Sequence, residues 1–165
     1  TFARNTPDSP HILLEDHYLK VESSIKLLGV IIQNDLKWDL NIADSVKRAN
    51  QKLYMLRLLK KHRLSCQDLM DIYRSYVRPI LEYGAPVWNG ALTKKQEESL
   101  EKIQKRALRI IHGPNFTNYE ETLLTCQLNT LKQRREEMCE NFIEKTLKKT
   151  DQNSKSYLSH RTRMV

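Results

Sequence analysis

The chain has 165 residues, enough for one hydrophobic core and too few to require a second domain. Its four glycines disfavour a turn-rich β-sandwich, and its 28 Lys and Arg against 20 Asp and Glu leave a net charge of +8, a field that attracts nucleic acid first and anionic membrane second. No apolar run approaches the roughly 20 residues that cross a bilayer, so no membrane partner is expected, and three cysteines without CxxC spacing (Cys66, Cys126, Cys139) indicate reduced intracellular thiols rather than disulfides or zinc.

The opening "TFARNTPDSP" is loop chemistry without a starting methionine or signal peptide, and the chain is expected to be cut from something longer. Between His11 and Asn34, three apolar runs (Ile12 to Leu14, Tyr18 to Val21, Ile25 to Ile32) are separated by "EDH" and "ESS" and predict a small antiparallel sheet. Gly29, inside the last run, predicts a bulge or a close approach by another backbone. Beyond Leu36 the apolar period lengthens to about 3.6, giving helices near 40–62, 66–83, 94–112, 119–126 and 131–149. Four of these starts have a capping residue followed three positions later by an acid or amide: Ser65 with Asp68, Thr93 with Gln96, Asn118 with Glu121 and Thr130 with Gln133. From Thr150 onward no period remains and disorder is expected. The fold class is therefore mainly α, a bundle of about five helices preceded by a small antiparallel β-hairpin or sheet.

In the first helix Ile42, Val46, Ala49, Leu53 and Leu56 form one stripe, and the following "LYMLRLL", apolar nearly all round, predicts a buried C-terminal half. In "SYVRPILEYGAPVW" a stripe of Leu69, Ile72, Tyr73, Tyr76, Ile80 and Tyr83 stays in phase through Pro79, which predicts a kinked core helix. Arg74 and Arg78 should then face outward, with Glu82 pairing with Arg78.

The chain has no GxxxxGK, GxSxG, HExxH or DxD-type motif, and its adjacent acids diverge on helices rather than converging on a metal. Cations are the informative feature. In the 94–112 helix, Leu100, Ile103, Ala107, Ile110 and Ile111 fall on one side, and Lys94, Lys95, Lys102, Lys105, Arg106 and Arg109 on the other. Such a ridge can track phosphates. The alternative is a solvated face tied by Glu98–Lys102 and Glu101–Lys105 pairs. From Lys47 to Arg63 a further seven cations stand without an acid, of which Lys47, Arg48, Lys52, Lys60 and Lys61 are candidates for backbone contact.

Four ordered blocks, "SIKLLGVIIQNDLKWDLNIADSVKRANQKLYMLRLLKK", "LMDIYRSYVRPILEYGAPVWNG", "LEKIQKRALRIIHG" and "LNTLKQRRE", resemble the C-terminal part of reverse transcriptases from non-LTR (LINE-type, Jockey-like) retrotransposons over about Ile25 to Lys148. The resemblance implies the end of a polymerase palm with a primer-grip-like hairpin (1–36, with Lys26, Leu28 and Gly29 at the grip), a helical thumb (37–113), a helical connector (114–149) and a tail (150–165). The family's Ala-Asp-Asp motif has no match, so no catalytic residue or metal ligand is carried over; Mg2+ belongs to the complete polymerase. Implied partners are an RNA template, an RNA–DNA hybrid or DNA primer, and the missing palm and fingers of the same polyprotein, in the cytoplasm and nucleus. The alternative is a stand-alone helical interaction module or an inactive retrotransposon relic.

Overall fold

A computed structural model describes residues 13–14, 17–18 and 21–162, with side chains described over 21–150. Two separate antiparallel hairpins come first: β1 (Leu13–Leu14) with β2 (His17–Tyr18), and β3 (Ser24–Leu27) with β4 (Val30–Gln33). The run from Ile25 to Ile32 is thus one hairpin rather than one strand. Leu28 and Gly29, both at positive φ, form its two-residue turn, with Leu27 opposite Val30. Gly29 is therefore a turn residue and not a bulge, and what approaches it is no backbone but the Tyr83 ring, 3.3 Å from where a Cβ would stand.

The hairpin is fastened to the helix that follows. Ile31 N–H donates to Asn41 Oδ1 (3.1 Å), and Leu40 N–H to Gln33 Oε1 (2.9 Å). Gln33 thereby caps α1 (Asp39–Lys61), whose own N-cap residue, Trp38, provides no side-chain cap. Next come α2 (Cys66–Ile72), a π-helical turn (Tyr73–Val77), α3 (Arg78–Glu82), α4 (Ala85–Trp88), α5 (Lys94–His112), α6 (Tyr119–Thr125) and α7 (Leu131–Thr162). All four expected caps form, and Thr93 and Gln96 close a full capping box. α7 runs on as helix to Thr162, past 149 where the loss of apolar period predicted its end.

The core is assembled from Leu53 and Leu56 of α1, Leu69, Tyr73, Val77 and Leu81 of the α2–α3 segment, Trp88, the inner row of α5 (Leu100, Ile103, Leu108, Ile111) and Leu131 of α7. Two expectations need correction. The α2–α3 stripe is Leu69, Tyr73, Val77 and Leu81, in steps of four, while Tyr76 is 64% exposed and Tyr83 stands outside as well. The π turn, in which Arg78 N–H reaches back five residues to Tyr73 C=O, inserts one residue into the ladder and advances the phase that a constant 100° step assumes. For the same reason Arg78 is only 19% exposed instead of facing outward. The C-terminal half of α1 is not buried all round either: Leu53 and Leu56 face the core, and Tyr54, Met55 and Leu58 face out.

Candidate nucleic-acid interface

α1 and α5 lie side by side in the same direction. Their contacts keep the same order along both helices: Gln96 Nε2 donates to Asp39 Oδ1 (2.7 Å), Arg106 Nη1 to Asn50 Oδ1 (3.1 Å), and Lys60 Nζ to Ile111 C=O (2.7 Å). Burying the row from Gln96 through Leu100, Ile103, Gln104 and Ala107 to Ile111 fixes the roll of α5 and turns the opposite row outward.

Between the two helices runs a groove of about 260 Å³, lined by Val46, Asn50, Ser99, Ile103 and four cations, Lys102, Lys105, Arg106 and Arg109. Among the described residues no acidic side chain lines it. Among the described residues, neither the Glu98–Lys102 nor the Glu101–Lys105 pair of the solvated-face reading forms. Glu101 is instead turned inward, accepting hydrogen bonds from Tyr119 Oη and from Leu131 N–H (3.2 Å). Lys105 lies over the Tyr119 ring (5.6 Å) and Arg109 over the Phe116 ring (5.3 Å), contacts that hold both cations in place and leave their charge unneutralised.

The remaining candidates divide. Lys94 and Lys95 stand exposed in the first turn of α5, extending the ridge to Lys94, about 22 Å from Arg109 at 1.5 Å per residue. On α1, helical spacing puts Lys47 and Lys61 toward the side that carries Asn50, both exposed. Lys52 faces the other way, into a separate apolar groove with Met55, Leu59, Ile72, Tyr76 and Val77. Arg48 is taken by Asp44 (3.0 Å), and Lys60 is spent on the C-terminal carbonyl of α5. Lys26, Leu28 and Gly29 sit together at the β3–β4 tip, which is pinned by Tyr83 Oη donating to Leu28 C=O (2.8 Å).

Sequence reasoning missed the neutral partners of the ridge cations. Asn50 was hidden in a basic stretch, and Phe116 and Tyr119 follow a Gly-Pro break that gives no hint of folding back beneath α5. It also missed Gln104, fully buried, which accepts from Tyr73 Oη and donates to Tyr119 Oη (2.9 Å) and Asn129 C=O (3.1 Å). Burial pushes both phenols up, that of Tyr119 with help from the Glu101 hydrogen bond, so the network behind the ridge is neutral at its tyrosines.

Elsewhere, His112 lies between Cys126 Sγ (3.2 Å from Nε2) and Cys66 Sγ (3.9 Å from Nδ1), beside a pocket of about 500 Å³ that Arg74 also lines. Burial and then Lys60 lower the His112 pKa, which favours its neutral imidazole, and burial raises that of Cys126, which favours its thiol. Among the described residues no group of His, Cys, Asp and Glu could hold a metal ion, and no helix is long and apolar enough to cross a membrane.

Comparison with known proteins gives one family model and two relatives. The model for the N-terminal region of alkylated DNA repair protein alkB homolog 8 matches residues 38–77, α1 through the π turn, under half of the chain. The chain is 27% identical over 116 residues to "Probable RNA-directed DNA polymerase from transposon X-element" and 26% identical over 115 residues to "RNA-directed DNA polymerase from mobile element jockey", both of Drosophila melanogaster. Each match covers 68% of this chain and 12% of the relative, so the chain spans about an eighth of their length. No solved structure matches it.

Proposed function

We propose that this chain is a thumb-like piece of a retrotransposon reverse transcriptase, and that its part in the work is to hold the template–primer duplex by its backbone. The observation that carries this reading is the acid-free groove of Lys102, Lys105, Arg106 and Arg109 between two parallel helices. Likeness to two mobile-element polymerases supplies the class of reaction. An outward row of cations with little aromatic surface contacts phosphates and sugars rather than base edges, so binding is indifferent to sequence. An RNA–DNA hybrid, A-like with a wide minor groove and 2′-hydroxyls on one strand, suits such shape-reading contact. The hairpin tip at Lys26, Leu28 and Gly29 takes the primer-grip position, and the remaining palm and fingers complete the enzyme.

The Mg2+ that such polymerases use is held by carboxylates that hold metals near the primer end. The described residues of this chain bring no such group together, so no chemical step is assigned to it. Purified chain therefore extends no primer in the presence of Mg2+ and nucleoside triphosphates; extension would overturn this part of the reading.

The binding part is tested by fluorescence anisotropy on hybrid duplexes of unrelated sequence. Wild type should bind them alike, and the combined K102E, K105E and R109E variant should bind all of them at least tenfold more weakly while its melting curve remains cooperative. Equal binding by the two proteins would return the ridge to solvent. The second reading, a self-associating interaction module, predicts concentration-dependent oligomers with no affinity for duplex.

A further inference from the structure

α1 carries a strip of exposed apolar side chains. Tyr54 is 60% exposed at its centre, flanked by Met55 and Leu58, both also exposed. Lys47 and Lys61 lie seven residues to either side of Tyr54, about two helical turns each way, so the three side chains share one line at intervals of about 10 Å. Arg57 stands on the adjoining row, toward Asn50 and the groove. Among the described residues Lys47, Arg57 and Lys61 pair with no carboxylate, and from Ser45 to Gln67 the sequence contains no acid at all.

An exposed aromatic ring with a cation two turns away on each side, and Leu58 between it and Lys61, has the chemistry of a nucleotide platform. The ring offers a face to a base, the methylenes pack against sugar, and the lysines meet the phosphates that follow. We propose that this strip binds an unpaired nucleic-acid strand, stacking one base on Tyr54, and that it takes the single strand continuing from a duplex seated on the α5 ridge. The proposal rests on the duplex reading of that ridge, from which the strip is separated by the Asn50–Arg57 row of the same helix. A second copy of the chain is a poor occupant, because two such strips face to face bring Lys47, Arg57 and Lys61 of one copy against those of the other.

The test compares a blunt 12-base-pair hybrid, the same hybrid with a six-nucleotide overhang at either end, and the free six-nucleotide strand. The overhang should raise wild-type affinity about fivefold or more, the lower end of what one stacked base contributes. Tyr54→Ala should abolish that gain and leave blunt-duplex affinity unchanged; Tyr54→Phe should keep both. Tyr54 lies outside the core, so both variants should melt as wild type does. No gain from the overhang in a protein that binds the blunt duplex would overturn the proposal, as would equal loss on both duplexes in Tyr54→Ala. Binding of a Glu-rich amphipathic peptide that Tyr54→Ala removes, without any overhang gain, would overturn it in favour of a protein partner. If wild type binds the free strand through Tyr54 but not the blunt duplex, the strip stands and the ridge reading falls. If it binds neither, both fall.

Discussion

Glu82 is the most consequential single side chain that the helical period misassigned. It is 6% exposed, where the expected stripe put it on an outer face, and Arg134 of α7 engages its carboxylate through both Nε and Nη2. Arg78, the partner expected from i, i+4 spacing, is present at 3.7 Å but is the weaker one. The arginines respond accordingly: the Glu82 hydrogen bond raises the Arg134 pKa, while burial, and then Arg134, lower that of Arg78. Removing the carboxylate leaves two guanidinium groups facing each other in a half-buried site. Glu82→Ala should cost roughly 3–5 kcal/mol in urea unfolding, as for other broken buried pairs; a loss below about 1 kcal/mol would show the pair to be solvated. Tyr73 and Tyr119 give a second residue-scale expectation. Their folded pKa values lie above the unfolded value of about 10, so the stability they contribute is complete below pH 10 and is lost as pH rises beyond it. Thermal melts should show a steeper alkaline decline in wild type than in the Tyr73→Phe, Tyr119→Phe double variant, and equal declines would place the phenols in water.

At the level of elements, the capped helix starts were legible in the sequence, and the π turn and the β3–β4 turn were not. Capping pairs at Ser65, Thr93, Asn118 and Thr130 marked four starts because a cap is local chemistry, decided within four residues. The π turn at Tyr73–Val77 has no such local signature. Tyr73, Val77 and Leu81 are buried there, and Tyr73 donates to Gln104, 31 residues away in α5, a partner that no local pattern announces. The hairpin turn was obscured differently: Leu at a position of φ 47° is an unfavourable choice, so "LLG" read as continuous strand. Gly84 follows the helix end expected at 83, and its φ of 67° with Val30 Cγ2 only 3.0 Å from a would-be Cβ shows why the chain turns at a glycine there. Gly84→Ala should therefore lower the urea midpoint by an amount worth about 1–2 kcal/mol, through strain and displacement of the hairpin. Gly90, with nothing within 4 Å, is the control that should move little under the same change.

For the molecule as a whole, the α5 ridge was legible because alternation of charge and apolar residues at helical spacing is visible in one segment. The groove beside it was not, since it exists only where α1 is laid parallel to α5 and Asn50 meets Arg106. Of the α1 cations, Lys60 holds the end of α5, Arg48 is answered by Asp44 within α1, and among the described residues Lys47, Arg57 and Lys61 pair with no carboxylate. Turning Glu101 inward to Tyr119 and Leu131 leaves Glu98 as the exposed carboxylate among the ridge cations, so the outer face keeps a net positive field. That field is the central claim, and the salt dependence of duplex binding measures it most directly. Each phosphate contact contributes about 0.9 to the slope of log affinity against log salt. Replacing Lys102, Lys105 and Arg109 with glutamate should flatten the wild-type slope by about 2.7 or more on duplexes of any sequence; a slope identical in the two proteins would contradict the account.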